Sequence, residues 1–211
     1  MSRGRFITFE GGEGCGKSTQ IARLASALEA EGIEVVKTRE PGGTVLSEEI
    51  RRMLKDEREE EPCDRAEVLL FLAARAQLVR NVIEPALAAG KWVLSDRFSD
   101  STLAYQGYGR GMPLDELKLM NGFACNSVKP DLTLLLEVES EVALRRMSGR
   151  EQSTGTVRDR IEKAGDAFHE RLRRGFSELA AAEPERFAVI DANGTENAVW
   201  EAVWKSLKRI R

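Results

Sequence analysis

The stretch FITFEGGEGCGKST, residues 6–19, decides the fold class of this chain. Its segment GGEGCGKS, residues 11–18, matches the phosphate-binding pattern G-x-x-x-x-G-K-S between an apolar strand pattern and an amphipathic helix pattern. Glycines let such a loop curl until backbone N–H groups point at phosphate oxygens, and the following helix adds its positive end. A chance glycine-rich turn is the alternative, but it explains neither the strand nor the helix. The loop therefore predicts binding of a nucleoside triphosphate.

Within this loop, Lys17 is expected to reach the β- and γ-phosphates, and the Ser18 hydroxyl is expected to ligate magnesium. The residues predicted to bind the triphosphate donor are Gly11, Gly12, Glu13, Gly14, Cys15, Gly16, Lys17, Ser18 and Thr19.

Composition excludes several classes of protein. The 211 residues carry a net charge of -3 and an isoelectric point near 5.5, which disfavours a general nucleic-acid or membrane-surface binder. The cysteines form no C-x-x-C pair, so neither a disulfide framework nor a zinc site is indicated. No stretch approaches the roughly 18 apolar residues of a membrane span, and the first strand leaves no room for a signal peptide. We expect a cytoplasmic protein.

Strand and helix patterns alternate, which is typical of a parallel sheet covered by helices on both faces. Apolar runs predict strands at 6–9, 33–36, 91–95, 132–138 and 187–190. A helix is predicted near 46–54, and a long one runs from Asp64 to Gly90, with Asp64 and Glu67 forming a capping box at its start. No linker or repeat interrupts the pattern. The predicted fold is therefore one three-layer α/β/α domain over residues 1–211, with a five-stranded parallel sheet.

Residues 148–160 interrupt this regular scheme. They contain Gly149 and Gly155 together with Arg150, Arg158 and Arg160, between two helical patterns. A solvated loop with surface arginines is one interpretation. Phosphoryl transfer needs cations around the migrating group and exclusion of water, which favours a flexible basic lid beside a phosphate-binding loop.

Asp96 and Arg97 directly follow the third predicted strand. Ligands gather at the carboxyl ends of strands in open α/β sheets, and an acid there commonly supports the magnesium shell. Asp96 as a simple cap of the next turn is the alternative. Arg97 suits an acceptor phosphate.

Phe71 and Arg75 lie four residues apart on the long helix and so share a face. An aromatic ring beside a guanidinium suits a nucleobase, because one stacks and the other hydrogen-bonds the base edge. Taken alone, however, a core Phe with a surface Arg is the commoner arrangement.

These features stand in a characteristic order. After the phosphate-binding loop come TREPGGT at 38–44, LFLAAR at 70–75, DRF at 96–98, STLAYQG at 101–107, PDLTL at 130–134 and DRIE at 159–162. This set resembles the thymidylate kinases over nearly the whole chain, and TREPGGT is its most specific element. The resemblance implies a P-loop NTPase fold and the ATP- and magnesium-dependent conversion of dTMP to dTDP, which supplies dTTP for DNA synthesis. It also implies a homodimer.

The resemblance further implies how the base is read. Phe71 would stack on thymine, and Arg75 would donate to its O4 carbonyl, where cytosine presents an amino donor instead. Thr102 would contact the base edge, and Tyr105 would lie under the sugar and disfavour a 2′-hydroxyl. The full acceptor set is Glu13, Glu40, Phe71, Arg75, Arg97, Ser101, Thr102, Tyr105 and Gln106.

The resemblance also implies which residues bind the acceptor phosphate and the metal. Arg39 and Arg97 would hold the acceptor phosphate, and Glu13 would reach the 3′-hydroxyl. Magnesium is expected at Ser18, Glu40 and Asp96. The expected catalytic residues are Lys17, Arg39, Asp96, Arg97, Arg150 and Arg158.

One departure from the family matters. One branch carries a catalytic arginine in the phosphate-binding loop, and this loop has none. The transition-state cation is therefore expected from the lid, with Arg150 and Arg158 as candidates. No general base is needed, because the attacking phosphate oxygen is already ionised; the single histidine, His169, is interpreted as a surface residue.

Two rival functions remain open on the sequence alone. Another nucleoside-monophosphate kinase, acting on uridylate or cytidylate, shares much of the pattern. A nucleotide-dependent switch is disfavoured, because no N-K-x-D guanine motif is present and the acceptor motifs would have no purpose.

Overall fold

The computed structural model describes residues 3–56, 59–154 and 165–211, without the side chains of 150–154. Its strands are β1 (Phe6–Glu10), β2 (Val35–Arg39), β3 (Trp92–Asp96), β4 (Leu132–Glu137) and β5 (Phe187–Asp191). They form one sheet in the order β2-β3-β1-β4-β5, and every pairing is parallel. The predicted five-stranded parallel sheet is confirmed.

Helices connect the strands. They are α1 (Lys17–Ala30), α2 (Val45–Lys55), α3 (Asp64–Leu78), α4 (Glu84–Ala88), α5 (Ser99–Thr102), α6 (Leu114–Cys125), α7 (Ser140–Thr154), α8 (Asp166–Ala182) and α9 (Glu196–Ser206). A π-helical turn at Val79–Ile83 joins α3 to α4, so the predicted long helix is one continuous path with wider turns in its middle. A second π-helical segment, Leu103–Gly109, continues α5.

The sheet separates two helical layers because its strands alternate between two apolar faces. Ile7 and Leu134 pack with α1 and α9 on one face. On the other face, Leu135 packs with α3, α6 and α8. The expected three-layer α/β/α architecture follows. Its carboxyl edge gathers the loops that leave β1, β2 and β3.

The predicted capping box at the start of α3 is wrong. Asp64 is the first helical residue, and Cys63 before it makes no side-chain capping bond. Glu67 cannot reach back to the helix start because its carboxylate binds Gln106 and Arg110. The Glu67 side chain, which the local pattern assigned to a helix cap, makes a tertiary contact instead.

The predicted lid also begins differently. Residues 148–154 continue α7 as helix rather than forming a loop. Arg, Glu and Gln in this stretch are good helix formers, and Gly149 alone lowers helix stability by only about 1 kcal/mol. Residues 155–164, with Arg158, lie outside the described residues, as does the side chain of Arg150.

Among the described helices, none combines the length and apolar character that crossing a lipid bilayer requires.

Candidate active site

The loop between β1 and α1 depends on glycine. Gly11, Gly14 and Gly16 have φ values of 131°, 70° and 95°, a region that residues with a Cβ rarely adopt. A Cβ on Gly14 would also lie 2.7 Å from the carbonyl oxygen of Ala143 in α7. Both the backbone conformation and a close neighbour therefore require glycine at that position.

Lys17 begins α1 with its ammonium group turned back over the loop. Its Nζ donates to the carbonyl oxygens of Gly11 and Gly12, at 3.2 and 2.9 Å. Burial and the charge of Arg97 would lower the pKa of Lys17, but Cys15 and Glu13 outweigh them and raise it. Lys17 is therefore a firmly cationic group inside the loop.

Ser18 and Asp96 meet at the end of the sheet. β1 and β3 pair in a register that sets Phe9 opposite Asp96, so the end of β3 lies beside the loop. The Ser18 hydroxyl donates to Asp96 Oδ2 at 3.4 Å. The result is a pair of side-chain oxygen atoms beside Lys17.

Arg97 lies on the other side of the loop in a strained conformation. Its φ is 72°, which is uncommon for a non-glycine residue. Its guanidinium donates to the Gly11 carbonyl at 2.9 Å and to Glu13 Oε1 at 2.6 Å, and it lies 5.0 Å from the ring centre of Tyr105. Burial would raise the pKa of Glu13, but the charges of Arg97 and Lys17 prevail and lower it. Glu13 is therefore an ionised partner that holds Arg97 in the cavity.

Glu10, which the sequence reasoning did not single out, anchors the turn that follows Arg97. Its carboxylate accepts from the Phe98 backbone N–H at 2.8 Å and from the Ser101 hydroxyl at 2.6 Å. Burial and the nearby charge of Asp100 raise the pKa of Glu10 to about 8. Its position at the end of β1, directly before the glycine loop, was the available signal.

Arg75 is an almost fully enclosed charged side chain, only 1% exposed. It donates to both carboxylate oxygens of Glu40 (2.6–3.1 Å), to Thr102 Oγ1 at 2.9 Å, to Asn121 Oδ1 at 2.5 Å and to the Phe98 carbonyl at 3.1 Å. Every N–H group of the guanidinium thus has an acceptor. A base carbonyl would have to share one of these hydrogens, and the predicted contact to O4 stays a prediction.

Glu40 and Arg39, neighbours at the end of β2, have separate partners. Glu40 pairs with Arg75 rather than with Ser18 or Asp96. Arg39 donates to both carboxylate oxygens of Glu48 in α2 at 3.0 Å. Their expected roles toward magnesium and the acceptor phosphate also stay predictions.

These groups line one cavity of about 970 Å³. Its walls include these predicted residues: Glu13, Gly14, Cys15, Gly16, Lys17, Ser18, Thr19, Arg39, Glu40, Phe71, Arg75, Asp96, Arg97, Ser101, Thr102, Tyr105 and Gln106. Gly11 and Gly12, also predicted to bind the donor, belong to the loop but do not line the cavity. The π-helical segment after α5 presents Tyr105 and Gln106 to the cavity, a local widening that is frequent at functional sites.

The cavity also contains residues that the sequence reasoning missed. They are Gln20, Pro41, Arg51, Lys55, Arg146, Met147, His169, Glu196 and Val199. Arg146 donates to the carbonyls of Gly14 and Gly194 at 3.4 and 3.2 Å, which extends the lining beyond the glycine loop toward α9. A cluster of arginines in α7 was the only signal for this extension.

His169, interpreted from the sequence as a surface residue, is half-buried and forms part of the cavity wall. It lies on α8, next to Phe168, whose ring is 6.1 Å from that of Tyr105. His169 lines the cavity because α8 packs against the segment that carries Tyr105.

Comparisons with known proteins show which family this chain is similar to. A family model described as thymidylate kinase matches residues 9–203. The thymidylate kinase of Solidesulfovibrio magneticus is 51% identical over 201 residues, covering 94% of this chain and 96% of the relative. That of Geobacter sulfurreducens is 50% identical over 201 residues, covering 95% and 94%. A crystal structure of thymidylate kinase from Ehrlichia chaffeensis superimposes with a TM-score of 0.76 at 35% identity, covering 97% of this chain and 99% of that one. The chain belongs to the thymidylate kinase family.

Proposed function

We propose that the phosphorylation of dTMP by this chain takes its phosphate from ATP and depends on Mg²⁺. One observation carries the proposal: the glycine loop has a cationic donor side, Lys17, and an acceptor side on which Arg97 is held by Glu13. Both sides open into the same cavity. A phosphate bound at each side would meet the other along the loop, which is the positioning that phosphoryl transfer needs.

The donor side fits a triphosphate with its metal. Mg²⁺ prefers oxygen ligands and usually binds through one or two protein groups together with phosphates and water. The Ser18 hydroxyl and the Asp96 carboxylate supply such oxygens 3.4 Å apart. No cluster of three His, Cys, Asp or Glu side chains suited to a metal occurs in the described part of the chain, in keeping with a metal held jointly with substrate. When bound, Mg²⁺ would neutralise charge on the donor phosphates.

On the acceptor side, Arg97 would hold the phosphate of dTMP, with Arg39 at the same edge of the cavity. Glu13 would then exchange part of its bond to Arg97 for the sugar 3′-hydroxyl. Phe71 would stack on thymine, and Tyr105, beneath the sugar, would exclude a 2′-hydroxyl. Glu40 would act through Arg75, which it orients, and its expected contact with magnesium would require a change of partner.

No side chain would have to remove a proton, because the attacking phosphate oxygen is ionised. Catalysis would then rest on placing the two phosphates and neutralising charge. Either Arg150 or Arg158 would contribute the transition-state guanidinium that the glycine loop lacks.

We also propose that the chain acts as a homodimer in the cytoplasm. Leu119 and Phe123 on α6 are 77% and 91% exposed, and Leu69 is exposed on α3, which packs against α6. Large apolar side chains displayed together suit a second copy of the chain. Cys15, Cys63 and Cys125 are all free, which suits a reducing compartment. Sedimentation of the full chain tests the dimer.

A panel of acceptors tests the function. The protein is assayed with ATP and dTMP, dUMP, dCMP, UMP or CMP, with magnesium and with excess chelator. We expect the highest kcat/KM with dTMP and loss of turnover on chelation. Faster turnover of CMP or UMP than of dTMP would assign the chain to another monophosphate kinase, and full activity in chelator would exclude the metal.

A further inference from the structure

We propose that Glu67 is a positioning residue that sets the base specificity of the site by fixing which end of the Gln106 amide faces the acceptor base. The inference rests on dTMP as the acceptor and deepens that function. Glu67 does not line the cavity, so its contribution to base recognition would be indirect, through Gln106.

Glu67 and Gln106 form an enclosed pair. Their exposed fractions are 1% and 2%, and Gln106 Nε2 donates to Glu67 Oε1 at 3.1 Å. Arg110 closes the pair from the other side, with Nε 2.8 Å from Glu67 Oε1 and Nη2 2.9 Å from Glu67 Oε2. Two charge-assisted bonds from one guanidinium hold the carboxylate in a single orientation.

This carboxylate dictates the orientation of the amide. An ionised carboxylate only accepts hydrogen bonds, and pairing with Arg110 favours the ionised form of Glu67. Gln106 must therefore turn its NH₂ group toward Glu67. The choice between the two amide orientations, which differ little in shape, is made here by chemistry.

The other end of the amide is left for a ligand. Gln106 lines the cavity, and none of the described groups donates a hydrogen bond to its Oε1. Gln106 thus presents a fixed acceptor on a side chain that is almost fully buried.

Thr102, one helical turn before Gln106, presents a hydrogen-bond donor where Gln106 presents an acceptor. Its Oγ1 accepts from Arg75 at 2.9 Å, so its hydroxyl hydrogen is directed away from Arg75 and can donate. Thr102 also lines the cavity. A hydroxyl donor and an amide acceptor match a carbonyl next to a ring N–H, as in thymine. Cytosine offers an amino group next to an unprotonated nitrogen, which reverses the pattern and leaves buried groups unpaired.

The decisive variant is Glu67→Gln. A glutamine at 67 can donate as well as accept, so it releases Gln106 to turn its NH₂ toward the base. We expect the ratio of kcat/KM for dTMP to kcat/KM for dCMP to fall by roughly 10- to 100-fold, with most of the change in KM. Asp64→Asn is the matched control, because Asp64 pairs with Arg110 at 3.4 Å but does not touch Gln106, and its ratio should stay at the wild-type value.

A second variant separates specificity from stability. In Glu67→Gln/Gln106→Glu, the side chain at 106 has no donor and presents an acceptor in either orientation, while the side chain at 67 donates to it. We expect this double variant to recover the dTMP preference that the single variant loses, with melting temperatures recorded for both.

An unchanged ratio in a folded Glu67→Gln protein would overturn the proposal. A folded double variant that stays unselective would overturn it as well, and this second test holds even where the single variant fails to fold. A wild-type protein that prefers dCMP would instead contradict the dTMP function, so the two failures are distinguishable.

Discussion

At the proposed donor end of the cavity, around Lys17, the contacts come from one continuous loop and its backbone, whereas at the proposed base end, around Arg75, they come from side chains on four separate segments. Lys17 bonds to carbonyls five and six residues before it. Arg75 bonds to Glu40 after β2, Thr102 on α5 and Asn121 on α6. Removing a side chain at the donor end should therefore affect chemistry, while at the base end it should also affect the fold.

The largest effect, on the free energy of unfolding, is expected for Arg75→Ala. The substitution leaves Glu40 as a buried charge without its partner, and breaking such a pair destabilises a protein by about 3–5 kcal/mol. Urea unfolding measures the loss, and KM for dTMP should rise in the same variant. A full retention of stability would mean that the network at the base end does not support the fold.

Arg80→Ala is the control for Arg75→Ala, since Arg80 lies on the same continuous helical path. Arg80 is exposed and pairs with Glu84 at 3.7 Å. An exposed pair of this kind contributes about 0–1 kcal/mol, so the control should remain close to wild type in unfolding and in KM.

Lys17→Ala should give the opposite profile. Loss of one preorganised cation at the transferring phosphate lowers kcat by about 10²–10³, or about 2.7–4 kcal/mol in the barrier. The free energy of unfolding should change by no more than about 1.5 kcal/mol, the scale of a lost hydrogen bond. Steady-state kinetics, calorimetric dTMP binding and urea unfolding measure the three quantities. If dTMP affinity fell by the same factor as kcat, the two ends of the cavity would not differ in the way described.

Lys91→Ala is the matched control, because Lys91 pairs with Glu34 at 2.7 Å on the surface, away from the cavity lining. Its kcat should equal that of the wild-type protein.

A smaller, pH-dependent effect is expected at Glu10, which lies between the two ends. Its folded pKa is raised from 4.5 to about 8 by burial and by Asp100. Between these values the folded protein holds a proton that the unfolded chain has lost, so this contribution to stability is complete below pH 4.5 and is lost as pH rises through 8.

Glu10→Gln keeps the neutral form at every pH and removes this titration. The variant should therefore gain stability relative to wild type as pH rises, by about 1–3 kcal/mol in total between pH 5 and 8. Urea unfolding at several pH values measures the gap. Parallel pH profiles for the two proteins would show that Glu10 titrates alike in the folded and unfolded states.

Much of the donor end was predictable because its information is local. A strand, a glycine loop and a helix are contiguous, so the pattern specifies both the backbone conformation and the position of Lys17 and Ser18. The parallel sheet followed from the alternation of apolar runs with helical patterns, and Asp96 followed from its place at the end of β3.

The base end was predictable only in part. The motif LFLAAR indicated Phe71 and Arg75, but nothing local revealed that Arg75 is saturated by acceptors from other segments. Glu67 was assigned to a helix cap because its three-residue spacing from Asp64 fits that role. Its true partners, Gln106 and Arg110, are 39 and 43 positions away, a separation that no local pattern encodes.

The sequence by itself determined the five strands, the parallel sheet, the phosphate-binding loop and the family. These depend on short-range spacing, on periodicity and on backbone conformations that glycine adopts far more readily than other residues. Tertiary structure alone decided that His169 reaches the cavity, that Glu10 anchors the Arg97 turn and that Glu67 orients Gln106. Each of these contacts joins residues far apart in the chain, and burial makes them strong by removing the competition of water.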